Sequence, residues 1–352
     1  MPKMQKIRFH LPGLSFNYPI NMLFADLMSK KPEFFHEGVE IGSFFGEFPT
    51  SLWNGGRFSS GAQCPEGMVR MVVKNMNDHG IPVRYTYTNP VLFEEDLADP
   101  YCNFCMEVAD NGMNEVMIVS PILEKYIRDK YPAFKHNSST CKNIREIGQL
   151  KEELKKDYAL VVLNQNLNRN YELLEQIEEK NRIELLVNSC CGPDCPRSAE
   201  HYRLISAQQR VVFANRKIRE GKSPEEVLAA LPDYVKECLP KDKFRTDRTG
   251  LRMISYPEWS CKYGDYNTPF TVRDNINYIP AQEVWEKYIP MGFTNFKLEG
   301  RTGNVFSIVE NYVNYMCIPE AKDEARYTLL TQLAGQGIIG VNRLWWVKPA
   351  AK

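Results

Sequence analysis

Three cysteines fall within six residues in the segment NSCCGPDCPRSAEHY, which runs from Asn188 to Tyr202. A further cysteine, Cys261, lies in the segment EWSCKYGDY. Clustered thiols can form a disulfide, act as a nucleophile, or bind zinc or an iron–sulfur cluster. The cysteine-rich segment is therefore the first candidate for a reactive or metal-binding centre.

The surrounding sequence favours some of these chemistries without choosing one. The N-terminus shows no signal peptide, so we expect a cytoplasmic, reducing setting in which a disulfide is disfavoured. A nucleophile would need a base such as His136 or His201, but one thiol would suffice. A structural zinc site would need Cys261 or Cys238 as a further ligand. An iron–sulfur cluster remains open, although Ser198 stands where a radical-SAM motif has its third cysteine.

Polar side chains also gather where short apolar runs end. Asn and Ser are favoured there because their side chains bond the turning backbone, so a structural role is one explanation. The segment KLEGR fits that explanation less well, because Lys297, Glu299 and Arg301 alternate at the end of a run that should be buried. Charges in that position need partners or a charged ligand. Lys297 and Arg301 could clamp a carboxylate or a phosphate.

The elements that position these residues follow a regular alternation. Eight short, mostly apolar runs alternate with amphipathic helical stretches, which is typical of parallel βα units. We predict a (β/α)8 TIM-type barrel, with an open doubly wound sheet as the alternative. The cysteine-rich segment follows the seventh run, at the end of the strand where such barrels carry their active sites. The eight runs begin near Ile7, Val39, Val83, Glu115, Phe134, Tyr158, Ile183 and Asn295.

More than one hundred residues separate the seventh and eighth predicted strands, which is too long for an ordinary crossover. Residues 203–252 read as charged helices, and we predict a helical insert that is a solvated surface, a lid, or a basic face for RNA or a partner protein. We predict a barrel over residues 1–318 that includes this insert, and a C-terminal helical extension over 319–352. The 44 basic and 44 acidic residues balance, so no overall field favours nucleic acid or a membrane.

Four motifs resemble those of the peptidase family U32 superfamily, the collagenase-like proteins, in order and rough spacing from about residue 38 to residue 318. NFKLEGR resembles the family's K-[IL]-E-G-R signature, and KHNSSTCKN resembles its His-x-Ser-x-Gln-x-x-Asn strand end. NGGRFSSG, followed by a helix and VRYTYTNPVLFEEDL, resembles its arginine-containing loop, helix and Thr-Asn strand.

The resemblance implies a (β/α)8-type barrel and, as in many members, a four-cysteine [4Fe–4S] site. Its first cysteine region matches Cys190, Cys191 and Cys195, and its last matches Cys261. Better-understood members act in oxygen-independent hydroxylation of tRNA or rRNA bases or of ubiquinone precursors, some with prephenate as the oxygen donor. The segment CCGPDCP departs from the family's usual Ser-x-Arg-Cys pattern. Adjacent residues rarely both ligate one metal, so Cys238 is an alternative to one of the doublet.

We therefore predict an iron–sulfur enzyme for oxygen-independent hydroxylation, or a related redox modification, of an RNA base or a small aromatic or anionic substrate. A non-catalytic, metal-stabilised barrel that binds RNA or protein is the alternative, with a sister barrel or a second copy of the chain as a partner, and a U32-like peptidase is a third. No membrane partner is expected. The site candidates are His136 and Glu299 for proton transfer, Arg57, Asn89, Asn164, Lys297 and Arg301 for substrate binding, and Cys190, Cys191, Cys195 and Cys261 for the cluster or, alternatively, zinc.

Overall fold

All eight predicted strands form, and they close into a parallel barrel in chain order, with the last strand paired to the first. The structure is a computed structural model that describes residues 5–55, 63–245, 247, 249–254, 261–300 and 303–339. The predicted TIM-type barrel is therefore confirmed. The strands are β1 (Ile7–Pro12), β2 (Val39–Gly46), β3 (Val83–Tyr87), β4 (Glu115–Ile118), β5 (Lys135–Ser138), β6 (Leu160–Val162), β7 (Ile183–Leu186) and β8 (Asn295–Lys297).

Helices connect the strands and cover the outside of the barrel. The last of the short helices, α10, continues into a π-helical turn at Val284–Tyr288. No helix in the described ranges combines the length and the apolar character needed to span a bilayer. The helices are α1 (Tyr18–Lys30), α2 (Glu66–Asp78), α3 (Pro100–Ala109), α4 (Pro121–Lys130), α5 (Ile147–Leu154), α6 (Tyr171–Glu175), α7 (Ser198–Arg219), α8 (Pro224–Ala229), α9 (Asp233–Cys238), α10 (Ala281–Glu283), α11 (Val305–Met316) and α12 (Lys322–Gly335).

The main hydrophobic core lies between the strands and the surrounding helices. Phe9 of β1 points outward, where its ring centroid lies 5.4 Å from that of Phe296 and 6.3 Å from that of Tyr315 on α11. All three side chains are fully buried. Side chains alternate between the two faces of a strand, so the apolar outer residues of each strand leave the intervening positions to face the barrel interior.

The interior of the barrel is charged. The buried guanidinium of Arg84 donates from Nε to Glu115 Oε2 at 2.6 Å, and it also pairs with Glu184. Its Nη2 lies 2.9 Å from Nδ1 of His10, and Lys297 Nζ lies 3.6 Å from the second oxygen of Glu184. Charges taken out of water must be paired or hydrogen-bonded, and this interior charge network meets that requirement across β1, β3, β4, β7 and β8.

The long connection between β7 and β8 carries helices α7, α8 and α9. Ten buried residues of this insert form an apolar cluster of their own, among them Val211, Val235 and Leu251. The insert is tied to the barrel by an ion pair between Arg210 and Asp96 and by a hydrogen bond from Gln209 to the Ser51 carbonyl at 3.3 Å. It therefore has its own core and fixed contacts with loops at the C-terminal ends of the strands.

Candidate functional site

The ends of β7 and β8 are joined by one asparagine. Asn188 Nδ2 donates to the Glu299 carbonyl at 3.1 Å, and the Glu299 N–H donates to Asn188 Oδ1 at 2.6 Å. The Glu299 carboxylate in turn accepts the Cys190 N–H at 3.0 Å. This brace holds Glu299, a predicted proton-transfer residue, directly beside the first cysteine.

The cysteine loop, residues 188–195, is held in place by further asparagines. Asn275 Nδ2 donates to the carbonyls of Ser189 at 3.1 Å and Cys191 at 2.9 Å. Asn166 Oδ1 accepts the Asp194 N–H at 3.1 Å, at a residue whose backbone is left-handed with φ of 46°. The loop is therefore held partly by side chains from the segments after β6 and before β8, which bind backbone groups of the loop.

Cys190 is partly buried and packs against the hydrophobic core. Its Sγ is 3.6 Å from the Asn188 carbonyl. Burial raises the pKa of the Cys190 thiol, and the neighbouring Glu299 carboxylate and Cys191 act in the same direction. Without a metal the side chain is therefore a neutral thiol rather than a thiolate nucleophile.

The structure brings Cys261 next to the cysteine loop. A Cβ on Gly192 would lie 3.2 Å from the Cβ of Lys262, so the backbone that follows Cys191 packs against the residue that follows Cys261. Cys261 is exposed, and Cys191 and Cys195 are partly exposed. All ten cysteines are free. The two cysteine regions thus share one face of the barrel.

The cysteine side chains of this face are suitable ligands for a metal ion or an iron–sulfur cluster, but they do not converge on a common point. Within the described ranges, no three His, Cys, Asp or Glu side chains converge on a point that could hold a metal ion. Thiolate sites commonly assemble only as the metal binds. The loops are therefore adjacent, and the thiols would have to turn toward a common point.

Lys297 points into the barrel rather than out of its mouth. The side chain is about 10% exposed, and Nζ lies 4.2 Å from the centroid of the Phe45 ring and 3.6 Å from Glu184. The charge of Lys297 thus has a protein partner. Lys297 therefore belongs to the interior charge network and lies deeper in the barrel than Glu299.

His136 is not brought together with the cysteines. Its neighbour Asn137 points inward, where it donates to Glu115 at 3.0 Å, so His136 faces outward between the helices. There it lies near Arg128 and Asp157, and its buried Nδ1 has no hydrogen-bond partner among the residues that the structure describes. Burial lowers the pKa of His136 to about 4, and Arg128 acts in the same direction.

Asn89 and Asn164 hold the backbone of their own loops. Asn89 donates to the Leu52 carbonyl at 3.0 Å and accepts the Val91 N–H at 2.9 Å. Asn164 accepts the Asn166 N–H at 3.0 Å and donates to Asn143 at 2.9 Å. Both side chains are buried, and these bonds are those expected where a strand becomes a loop.

Two predicted residues, Arg57 and Arg301, lie outside the described residues. Cys238 ends α9 in the insert, where burial raises the pKa of its thiol, Arg203 opposes that shift, and Glu237 and Glu200 add to it. Its described surroundings therefore belong to the insert.

Sequence reasoning missed the interior charge network and the asparagine clamps. The signal for the network is present, since His10, Arg84, Glu115 and Glu184 are ionisable residues inside otherwise apolar strands, as Lys297 is. For Asn275 there is no such signal, because its partners are 84 and 86 residues away in the chain.

Comparison with known proteins gives one distant likeness. No protein-family profile matches the chain, and no curated protein matches it. A solved structure, that of the U32 peptidase Mk0906, aligns over 59% of this chain and 79% of its own, with a TM-score of 0.41 and 13% sequence identity. At that distance the likeness identifies neither a family nor an activity.

Proposed function

We propose that this protein is a U32-type barrel whose C-terminal face binds an iron–sulfur cluster through Cys190, Cys191, Cys195 and Cys261. The observation that carries the proposal is the close packing of Gly192 against Lys262, which joins two cysteine regions about 70 residues apart. The position of the cysteine loop also supports the proposal, because (β/α)8 enzymes have their active sites at the C-terminal ends of the strands. A cytoplasmic location would suit such a cluster.

The cluster would supply electron transfer, and the chain's own residues would handle protons and substrate. Glu299 is held by Asn188 at the mouth, where its carboxylate could accept or return a proton. The reaction class we propose is an oxygen-independent hydroxylation of an RNA base or a small aromatic, with prephenate as a candidate oxygen donor. Arg57 and Arg301 remain the proposed contacts to an anionic group.

The geometry ranks the thiols. Cys191 lies next to the Cys261 segment. Cys190 packs against the hydrophobic core, and its Sγ lies near the Asn188 carbonyl. We therefore expect Cys191, Cys195 and Cys261 to be the indispensable ligands, and Cys190 to be the most replaceable of the four.

The test is anaerobic purification followed by a visible spectrum and by iron and sulfide analysis. We expect a brown protein with about four iron and four sulfide per chain. The substitutions Cys195→Ala and Cys261→Ala should abolish the colour, whereas Cys190→Ala should retain part of it. Cys64→Ser is the matched control, since Cys64 lies beside Tyr101 and α3 rather than in the cysteine loop.

A colourless protein with stoichiometric zinc would exclude the cluster and favour the metal-stabilised, non-catalytic barrel. If the cluster is present, the loaded protein is incubated anaerobically with RNA or a small aromatic, with and without prephenate. We expect a product heavier by one oxygen atom. A cluster without any such product would restrict the centre to a structural or electron-transfer role.

A further inference from the structure

A large cavity lies at the opposite end of the barrel from the cysteine loop. This N-terminal mouth has a volume of about 1010 Å³ and is lined by residues at the beginnings of the strands and by parts of α1 and α2. Pockets of this size accept small-molecule ligands. In a (β/α)8 barrel this end usually serves stability, so an open cavity here requires a separate explanation.

Small residues keep the N-terminal mouth open. Gly42 on β2, Pro82 before β3 and Ala159 before β6 all line it. A Cβ on Gly42 would lie 2.6 Å from the His10 ring and 2.9 Å from the Arg8 Cβ, so this position has room for nothing larger than hydrogen. The cavity thus reaches down to the His10 side chain.

The inner wall of the mouth is polar and rigid. His10 and Asn295 are 1% exposed, and their side chains lie 3.4 Å apart. Glu115 is also buried and is bound by Arg84 and Asn137. These groups are fixed by the interior charge network, so a ligand would meet a preformed surface rather than mobile side chains.

Every carboxylate that lines the mouth is already bound by a cation. Glu40 accepts from Lys6 at 2.8 Å and from Arg8 at 2.7 Å. Asp78 pairs with Lys74 at 2.5 Å, and Glu115 pairs with Arg84. No described carboxylate lining this cavity is left to neutralise a further cation.

Two positive charges of the mouth are left without a matching carboxylate. Lys6 and Arg8 share the single carboxylate of Glu40, which leaves one charge in excess. Lys135 lines the same cavity, and no described acidic side chain lies within ion-pair distance of it. The mouth therefore offers a surplus of two positive charges above a fixed polar wall.

We propose that the N-terminal mouth of the barrel binds a small dianion, either a dicarboxylate or a phosphate monoester, between Arg8 and Lys135. Both ligand types carry two negative charges, which match the surplus of two positive charges in the mouth better than a monoanion does. The site does not depend on the cysteines or on the proposed cluster.

The experiment is a calorimetric titration of the full chain at low salt, with succinate and inorganic phosphate as probes and acetate as the monoanion. We expect saturable binding of at least one dianion and much weaker binding of acetate. Charge-assisted contacts are strong enough that Lys135→Ala and Arg8→Gln should each weaken binding roughly tenfold, and Lys135→Glu should weaken it further.

Lys155→Ala is the matched control, because it removes the same charge from an exposed pair with Glu152. Binding of succinate alone would assign a dicarboxylate, and binding of phosphate alone would assign a phosphate ester. Absence of saturable binding for both dianions, or an equal loss in Lys155→Ala and Lys135→Ala, would overturn the proposal. Since Lys135 is exposed, the variants should fold, and the titration is independent of iron content, so it fails or succeeds separately from the cluster.

Discussion

At the scale of single residues, the members of the interior charge network depend closely on one another. Burial alone would raise the pKa of Glu184, but Arg84, His10 and Lys297 outweigh it and hold that pKa at about 2. Glu184 is therefore ionised and engages two fixed cations. Removing one partner of such a pair leaves a buried charge without compensation, which is far more costly than losing an exposed pair.

We predict that Glu184→Gln lowers the free energy of unfolding by about 3–5 kcal/mol, since Arg84 would lose one of its two carboxylate partners and Lys297 its contact with the Glu184 carboxylate. Glu179→Gln, which removes the exposed partner of Arg182, should cost no more than about 1 kcal/mol. Urea denaturation of the two variants checks this difference. If both substitutions lowered the free energy of unfolding by the same amount, water would have to reach Arg84 inside the barrel.

Part of this network could be predicted from the sequence. A charge inside a buried strand needs a partner, and Lys297 has one in Glu184. Arg84 and Glu184 are also charged residues inside apolar strands, so the same rule predicts a network there. It could not have supplied the pairing, since Arg84 and Glu184 are 100 residues apart and only barrel closure makes them neighbours.

At the scale of elements, the contact between β1 and β2 depends on Gly42. The register of these strands shifts between Phe9 and His10, and the His10 ring lies against Gly42, which has no side chain to displace it. His10 Nδ1 also lies 2.8 Å from the Ser43 hydroxyl. The irregular register and the glycine together allow a histidine to turn into the barrel beside Arg84.

We predict that Gly42→Ala lowers the free energy of unfolding by about 1–3 kcal/mol, because the new methyl group would overlap the His10 ring and the Arg8 Cβ. Gly148→Ala is the control, since nothing lies within 4 Å of its would-be Cβ on α5, and alanine there should be neutral or stabilising by up to about 1 kcal/mol. Thermal denaturation of both variants measures the effect. A neutral Gly42→Ala would mean that the two strands can move apart at no cost.

The elements themselves were largely predictable, because short apolar runs and helical spacing are local properties. The eight strands agree with the pattern, and the insert is helical as predicted, with interruptions near Gly221 and Pro232 and an end before Pro240. The stretch from Tyr171 to Lys180 also reads as one helix, yet α6 ends at Glu175. The apolar spacing continues beyond that point, but Ile177 packs into the core without helical geometry, which periodicity alone does not reveal.

At the scale of the whole molecule, two buried histidines link stability to pH. Burial lowers the pKa of His10 to about 4, with Arg84 acting in the same direction. The pKa of His136 is likewise lowered to about 4 by burial. Both are neutral in the folded protein near pH 5, whereas an unfolded chain, with a histidine pKa of about 6.5, would protonate them. The unfolded state thus binds more protons, and acid favours it.

We predict that the free energy of unfolding is level between about pH 7 and pH 8 and falls as the pH drops from 6.5 to 4. Each histidine contributes a slope of up to about 1.4 kcal/mol per pH unit in that window. His136→Gln should remove about half of the slope near pH 5. Urea denaturation at several pH values measures it, and an unchanged slope in the variant would show that His136 is protonated in the folded state.

The interior charge network also has a consequence for how the chain reaches its fold. During synthesis, Arg84 can pair with Glu115 soon after both residues emerge. Glu184 emerges 100 residues after Arg84, and Lys297 is the last member of the network to emerge. A partial barrel that ended before β7 would have to keep Arg84 in water or bury it without Glu184. We therefore expect early strands to remain loosely associated until the last strands arrive, so that ring closure and charge neutralisation occur in one late, cooperative step.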